Sequence, residues 1–477
     1  MITSFHHLHF PASEGPRRKT RPGLTPAVIT VLFLTAGMLF PGTPANAQNL
    51  PSRADSLPVY SLDRCLSYAL RHQPGLNQSI VNREIVRTTN AINLSGWMPQ
   101  LSITGNLLHY NQLPTTLTPN TANPSGPPVP AHTGVYNTAI PEFTASETIF
   151  SPQLFYAASS APLTAELADQ ATDSAKISLI VNVSKAFYNL LLTLEQVNVL
   201  REDTARLGRN VVDTYHQYVG GIVDETDYQQ AVITLNNSLG QLKQETENIA
   251  PAYAILKQTM GCPPEDQFSV TFDTTRMMED IVCDTLEPVH YDRRIEYRQL
   301  MTEKSLQHRQ TAADWLSLLP SVSVFYNYFY EYESNPASDL FKTAYPYSYV
   351  GLSFSLPLFT GFSRAETIAR SRLEEENLDW AGANLRSEIN TEYREALAGY
   401  KSNLYNWRLL QDNRARAQDV YRIVSLQYKQ GVVSYINLIV AESNLITAES
   451  GYVNALFQLL SSKIDLEKAT GDIPYNH

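Results

Sequence analysis

Two stretches of this chain, Thr164 to Ala250 and Leu358 to Ile473, contain no proline. Within both, apolar residues recur by threes and fours. Ile180, Val183, Phe187, Leu190, Leu194 and Val197 follow the step in the first. In the second the register runs Ile389, Tyr393, Ala396, Tyr400, Asn403, Trp407, Leu410, Arg414, Ala417, Tyr421, Val424, Tyr428, broken only by Asn403 and Arg414. A sustained three-four step is the seam of a coiled coil, whereas a globular helix shows a broader apolar stripe. Proline removes a donor and clashes with the preceding turn, so its absence leaves both stretches free to be very long helices. A helix from about Pro162 to Tyr218 would be roughly 85 Å long at about 1.5 Å per residue, more than one compact domain needs.

The two helices end at matching punctuation. Tyr218-Val219-Gly220-Gly221-Ile222-Val223 corresponds to Tyr428-Lys429-Gln430-Gly431-Val432-Val433. At the same offset of 210 residues, Asp227 falls opposite Asn437, Ala231 opposite Ala441, Leu235 opposite Leu445, Leu256 opposite Leu466 and Gly261 opposite Gly471. An internal duplication accounts for this. Glycine suits a left-handed helix-ending position, and helical patterning resumes directly after each one. The pattern predicts two antiparallel helical hairpins with tight tips.

Strand-like alternation precedes each hairpin. Trp97 to Asn106 resembles Leu319 to Tyr326: in both, a proline stops a helix and alternation begins, with Leu101 and Ile103 on one face and Ser102, Thr104 and Asn106 on the other. Return strands are expected near Phe143–Phe150 and Tyr347–Phe359. In the latter Val350, Leu352, Phe354, Leu356 and Leu358 share one face, and Gly351, Ser353 and Ser355 the other. Aromatics crowd the same zone, among them Phe325, Tyr326, Tyr328, Phe329, Tyr330, Tyr345, Tyr347 and Tyr349. Apolar-out, small-polar-in strands with aromatic girdles are the signature of a transmembrane β-barrel, although a soluble sandwich also alternates. No Asp, Glu, Lys or Arg occurs from Thr88 to Pro141, which favours the membrane. The joining segments, Asn111–Thr133 and Glu331–Ala344, read as exposed loops, the first too proline-rich for regular structure. Four strands cannot enclose an aqueous lumen, so membrane strands would force several chains to share a barrel.

Composition narrows the function. The 477 residues carry 47 acidic against 36 basic side chains, a net charge of −11. Residues 1–47 hold Arg17, Arg18, Lys19 and Arg21 against Glu14, so the remainder is more acidic still. Such a balance argues against nucleic-acid binding. The basic cluster, the apolar stretch Ala27 to Phe40 and Ala45-Asn46-Ala47 read as a signal peptide, with the mature chain starting at Gln48. The apolar run is shorter than a spanning helix needs. The expected division is therefore 1–47 signal peptide, 48–262 first structural repeat, 263–290 linker and 291–477 second repeat.

The order helix, strand, strand, long helix, tight turn, helix, written twice, resembles the TolC-like outer-membrane efflux protein family from about Ser61 to Gly471. Leu62 to Leu76 is similar to the family's opening helix, Ala186-Phe187-Tyr188-Asn189-Leu190-Leu191 to its first-hairpin signature, and Pro357-Leu358-Phe359-Thr360-Gly361 to its strand exit. The resemblance implies an α+β membrane protein. A homotrimer would share a twelve-stranded barrel in outer-membrane lipid, above a tunnel of helical hairpins (an α-barrel) crossing the periplasm. It implies a passive outer-membrane channel of a tripartite export system, serving a periplasmic adaptor protein and an inner-membrane transporter. Tyr218, Gly221, Val223, Tyr428, Gly431 and Val433 would then form the tips that dock the adaptor. Val350, Leu352, Phe354 and Leu356 would face lipid.

One departure bears on the entrance. Family members narrow it with second-repeat carboxylates just past the tip, but the matching positions here are Asn437 and Val440. The nearest acidic residues are Asp224, Glu225 and Asp227, so a constriction would involve Asp224, Asp227 and Asn437. Those acids equally complement a helix N-terminus. No HExxH, GxSxG or P-loop pattern is present. Histidines form no i, i+4 pair, and methionines are scattered apart from Met277-Met278. No cofactor, metal or enzymatic activity is expected. Cys262 and Cys283 could pair in an oxidising compartment or stay free, and Cys65 has no partner in its own half. The rival reading is a periplasmic coiled-coil adaptor, or a structural protein of the envelope without a pore; adaptors have one hairpin, where this chain has two.

Overall fold

The computed structural model describes residues 58–121, 125–271 and 289–475. The expected signal peptide, Cys283, Met277-Met278 and most of the 263–290 linker lie outside them. Among the described residues the α-helices are α1 (Leu62–His72), α2 (Pro74–Leu94), α3 (Pro152–Val219), α4 (Glu225–Met260), α5 (Ile295–Leu316), α6 (Ser363–Lys429) and α7 (Tyr435–Thr470). The strands are β1 (Val59–Tyr60), β2 (Gln100–His109), β3 (Thr115–Thr118), β4 (Val129–His132), β5 (Asn137–Phe150), β6 (Ser269–Val270), β7 (Ser321–Ser334) and β8 (Ala344–Ser355).

The duplication is exact in the second halves of the repeats. Helices α4 and α7 have the same length of 36 residues, offset by 210. All four glycine stops are left-handed: Gly221 at φ 70°, Gly261 at 70°, Gly431 at 73° and Gly471 at 82°. Each is followed by the same six-to-one closure: Ile222 N–H donates to the Gln217 carbonyl at 2.8 Å, Cys262 to Lys257 at 2.8 Å, Val432 to Gln427 at 2.9 Å and Asp472 to Glu467 at 2.9 Å. This is the Schellman geometry, which satisfies orphan carbonyls at a helix end and needs a residue without a Cβ penalty.

Helix α3 is longer than the proline-free run suggests. It has 68 residues, about 100 Å at 1.5 Å per residue, and contains Pro162; α4 likewise contains Pro251. Coiled-coil neighbours hold these helices across a local loss of one backbone bond. The expected opening helix is instead two: Gln73 is extended before Pro74, its Oε1 capping Leu76 N–H at 2.6 Å. The predicted seam of α6 is buried or half-buried throughout. Its two polar breaks have partners on α7: Asn403 donates to the Gln458 carbonyl at 3.4 Å, and the Arg414 guanidinium lies 5.0 Å from the Tyr452 ring centre.

Helix pairs α3–α4 and α6–α7 form the hairpins, and α3 packs on α7, so the long helices lie side by side in the order α4, α3, α7, α6. The main core sits where α1, the middle of α3 and the second half of α7 meet. Phe187, Leu190, Leu256, Met260, Leu459 and Leu460 are almost wholly buried there, each contributing about 1.5–3 kcal/mol by leaving water. The most apolar part of α3 is long enough to cross a bilayer, but most of it is buried inside this chain. Arg294, itself buried, ties the start of α5 to this end of the hairpins. It donates to Glu392 at 2.6 Å, to Glu296 at 3.1 Å and to the Ala469 carbonyl at 3.0 Å.

The main sheet is fully antiparallel in the order β2-β5-β7-β8. Strands β5 and β7 have 14 residues each: β5 starts at Asn137, ahead of the expected Phe143, and β7 runs on to Ser334, into the segment expected to be a loop. The proline-rich connection carries the β3–β4 hairpin, with Pro130 facing Leu117; an isolated ribbon tolerates proline, since one side of each strand has no ladder partner. Strand β8 ends at Ser355, so Leu356 and Leu358 lie beyond it rather than in it.

Candidate channel lining and tunnel tips

Pairing in the sheet settles which side chains share a face. Phe325 lies opposite Gly351, Ser323 opposite Ser353, Asn327 opposite Tyr349 and Phe329 opposite Tyr347. Their other neighbours are Ser146 opposite Phe325, Thr144 opposite Asn327 and Glu142 opposite Phe329, then Ser102 and Thr104 on β2. This face is polar and includes Glu142, Glu331 and Glu333. The four strands contain no Lys or Arg. The reverse face joins Leu101, Ile103 and Leu107 to Phe143, Val322, Val324, Tyr326 and Tyr328, and to Val350, Leu352 and Phe354, with Glu147, opposite Val324, its one acidic residue among the described strands. Val350 is 73% exposed, Leu352 72% and Phe354 65%.

The polar face also holds an aromatic ladder that alternation alone did not place. Phe329 and Tyr347 stack at 4.7 Å, Phe329 and Tyr349 at 5.7 Å, and Phe325 meets Tyr349 edge-on at 6.1 Å. Gly351 makes room for it: a Cβ there would lie 2.6 Å from the Phe325 ring. The sequence signal was the mixed parity of the aromatics, which put some on each face.

At the far end of the hairpins the predicted tip residues separate into two groups. Tyr218, Gly221 and Gly431 are exposed, and Val223 and Val433 half-buried. Tyr428 is buried, against Tyr435 at 5.5 Å and with its hydroxyl 3.3 Å from Thr214 Oγ1. It is a packing residue, not a surface one. The apolar groups that do protrude are Val219, Ile222 and Val432, at 66–71% exposure. They sit one residue from the predicted positions, because the turn rotates the next side chain outward. Tyr218 stacks parallel on Tyr228 at 6.2 Å, and Lys429 reaches Asp213 at 3.8 Å across the hairpins.

Asp224 occupies the cap position of α4 but makes no side-chain capping bond. Asp227 is half-buried, and burial followed by the neighbouring Asp224 raises its pKa above the ordinary range. Asn437, its counterpart, is exposed and donates to Ser434 Oγ at 3.1 Å. Each residue lies in the first turn of its helix, Asp227 on α4 and Asn437 on α7. Among the described residues no group of His, Cys, Asp or Glu is placed to hold a metal ion. Cys65 and Cys262 are buried free thiols in one core. Burial pushes the Cys65 pKa up to about 12, far from the reactive range.

A sheet with one apolar and one polar face, above paired coiled-coil hairpins, matches a known architecture. Residues 306–472 match the outer membrane efflux protein family. The fold is similar to the outer membrane protein VceC of Vibrio cholerae (14% identity, TM-score 0.68, covering 86% of this chain and 96% of that one). It is similar to the CmeC outer membrane channel of Campylobacter jejuni (16%, 0.68, 93% and 95%), and to the MtrE outer membrane channel of Neisseria gonorrhoeae (18%, 0.67, 86% and 88%). No curated protein matches the sequence. The family match lies within the second half of the chain, and the fold shared with these outer-membrane channels extends over both halves.

Proposed function

We propose that this chain is one protomer of a trimeric outer-membrane conduit, its mature repeats spanning 48–262 and 291–477. Three sheets would close into one barrel in lipid, and three sets of hairpins into a tunnel through the periplasm. Substrate would arrive from an inner-membrane transporter through an adaptor seated on the tips, and pass without bond chemistry. The observation that carries this reading is the one-sided apolar sheet with two unpaired edges, β2 and β8. In water, two long open edges beside so much exposed apolar strand invite aggregation, whereas a closed barrel in lipid pairs the edges and buries the apolar face.

The test is fractionation and reconstitution of the mature chain. Detergent-extracted outer membranes should yield trimers that form discrete channels in planar bilayers. A stable monomer in the soluble periplasmic fraction would overturn the reading in favour of a pore-less envelope protein.

A further inference from the structure

Helices α3 and α7 form the main contact between the long hairpins, and below the main core they bury charge. Asp203 is 0% and Glu442 1% exposed. Arg206 donates to Asp203 Oδ1, and its Nε lies 3.5 Å from Glu442 and an Nη 3.7 Å from Glu449. Asn210 donates to both Glu442 oxygens at 3.1 and 3.0 Å. The Arg206 guanidinium also lies 5.1 Å from the Tyr421 ring centre on α6. Three carboxylates thus meet one guanidinium, and Asp203 Oδ2 is buried with no hydrogen-bond partner.

Fully ionised, this cluster would hold two uncompensated negative charges in a closed interface, which is strongly unfavourable. A proton on one carboxylate removes much of that cost. We propose that Asp203, Arg206, Glu442 and Glu449 form a proton-binding clasp that holds the two hairpins together when protonated and lets them part when the proton leaves. The proposal rests on the conduit reading only for its consequence, a wider tunnel mouth; the clasp itself is a property of one chain.

Burial pushes the Glu442 pKa up to about 7 and that of Asp203 up to about 6, with Arg206 opposing both. The other groups facing them are Glu202 on α3, Tyr421 on α6, and Tyr435 and Glu449 on α7. Helix α4, which also packs on α3, has no ionisable side chain between Tyr228 and Lys243. Both carboxylates titrate above their ordinary range, so the closed form binds more protons than the open one. Closure is therefore favoured at acid pH and lost as pH rises through about 6 to 7.

Spin labels on the exposed positions Arg209→Cys and Ser443→Cys report the α3–α7 separation in the full-length detergent-extracted protein. Their distance should lengthen by several ångströms between about pH 5.5 and pH 8.5. Glu442→Gln, which keeps the Asn210 bond but holds no titratable charge, should stay short at both. Bilayer conductance should rise several-fold over the same range in the unsubstituted protein and much less in Glu442→Gln. A label distance independent of pH, or an equal change in Glu442→Gln, overturns the clasp. A pH-dependent distance in a protein that forms no channel leaves the clasp standing and overturns the conduit.

Discussion

Replacing Gly261 by alanine should destabilise this protein more than the same change at any other duplicated stop. All four glycines are left-handed, so each alanine costs about 1–2 kcal/mol in backbone strain. Their surroundings differ. At Gly261 a Cβ would lie 2.7 Å from Gln73 Cα, 2.8 Å from Pro74 Cδ and 2.9 Å from the His72 carbonyl oxygen. These are backbone and ring atoms of the α1–α2 junction, which cannot swing aside as a long side chain would. Forcing them apart adds roughly 1–3 kcal/mol, as for other overpacked sites. At Gly471 the nearest atoms belong to Arg293 at 3.0 Å, so the added cost is smaller. At Gly221 and Gly431 nothing lies within 4 Å, and only the strain remains.

The expected order of loss is Gly261, then Gly471, then the two tip glycines together, read as the denaturant midpoint of the purified protein. Equal losses at Gly261 and Gly431 would refute the close-approach argument. The same geometry isolates function at the tip. A Cβ at Gly431 meets no neighbour, so Gly431→Val should leave assembly and membrane insertion nearly intact while abolishing export through the complete pump and altering cross-linking to the adaptor. Normal export with unchanged cross-linking would make the tips inert turns.

Leu352→Arg and Phe354→Arg should block barrel assembly, at roughly 2–4 kcal/mol per site near the bilayer centre, whereas Ser353→Arg on the other face should assemble with altered conductance; equal tolerance would reverse the face assignment. Arg294→Met removes the side-chain donor to the Ala469 carbonyl and one of the two cations on Glu392, Lys468 keeping the other, and should cost about 1–3 kcal/mol of stability, measured by thermal unfolding; a change below about 0.5 kcal/mol would show that the pair contributes little. The polar face carries Glu142, Glu331 and Glu333 and no cation, so reversal potentials should show cation preference, reduced in the triple Gln variant. An unchanged potential would place selectivity outside the barrel.

What the sequence made legible was whatever repeats within one chain segment. The seam of α6, the 210-residue offset and the alternation of β8 all follow from local spacing, and the left-handed glycines from residue type. What it hid depends on partners far away. Asn210 and Glu442 are 232 residues apart, and nothing in the spacing of either helix says that they meet. Tyr428 continues the α6 seam, and that alone favoured burial; its place beside the turn suggested a surface role instead. Pro162 reads as a helix start because an isolated helix breaks at proline, whereas in the fold neighbouring helices hold it inside α3, as they hold Pro251 inside α4. The β3–β4 ribbon was hidden because proline density outweighed the alternating Thr115 to Thr118.

The duplication also explains why one chain is incomplete in two layers at once. The sheet order β2-β5-β7-β8 and the helix order α4-α3-α7-α6 each place one element from each repeat at the centre and one at each edge. Central α3 and α7 hold most of the buried apolar residues. Edge helix α6 leaves Leu373, Trp380, Tyr405, Leu409, Ile423 and Leu426 exposed, and α4 leaves Ile233, Leu239 and Ile255. Edge strands β2 and β8 leave both a row of unpaired backbone groups and an apolar face. A neighbouring copy that joins β8 to its own β2 also brings its α4 toward α6, so one rotation satisfies both layers. A two-fold pairing of like edges would either point the two sets of hairpins in opposite directions or put the two apolar faces on opposite sides. The open edges therefore favour a closed ring of head-to-tail copies.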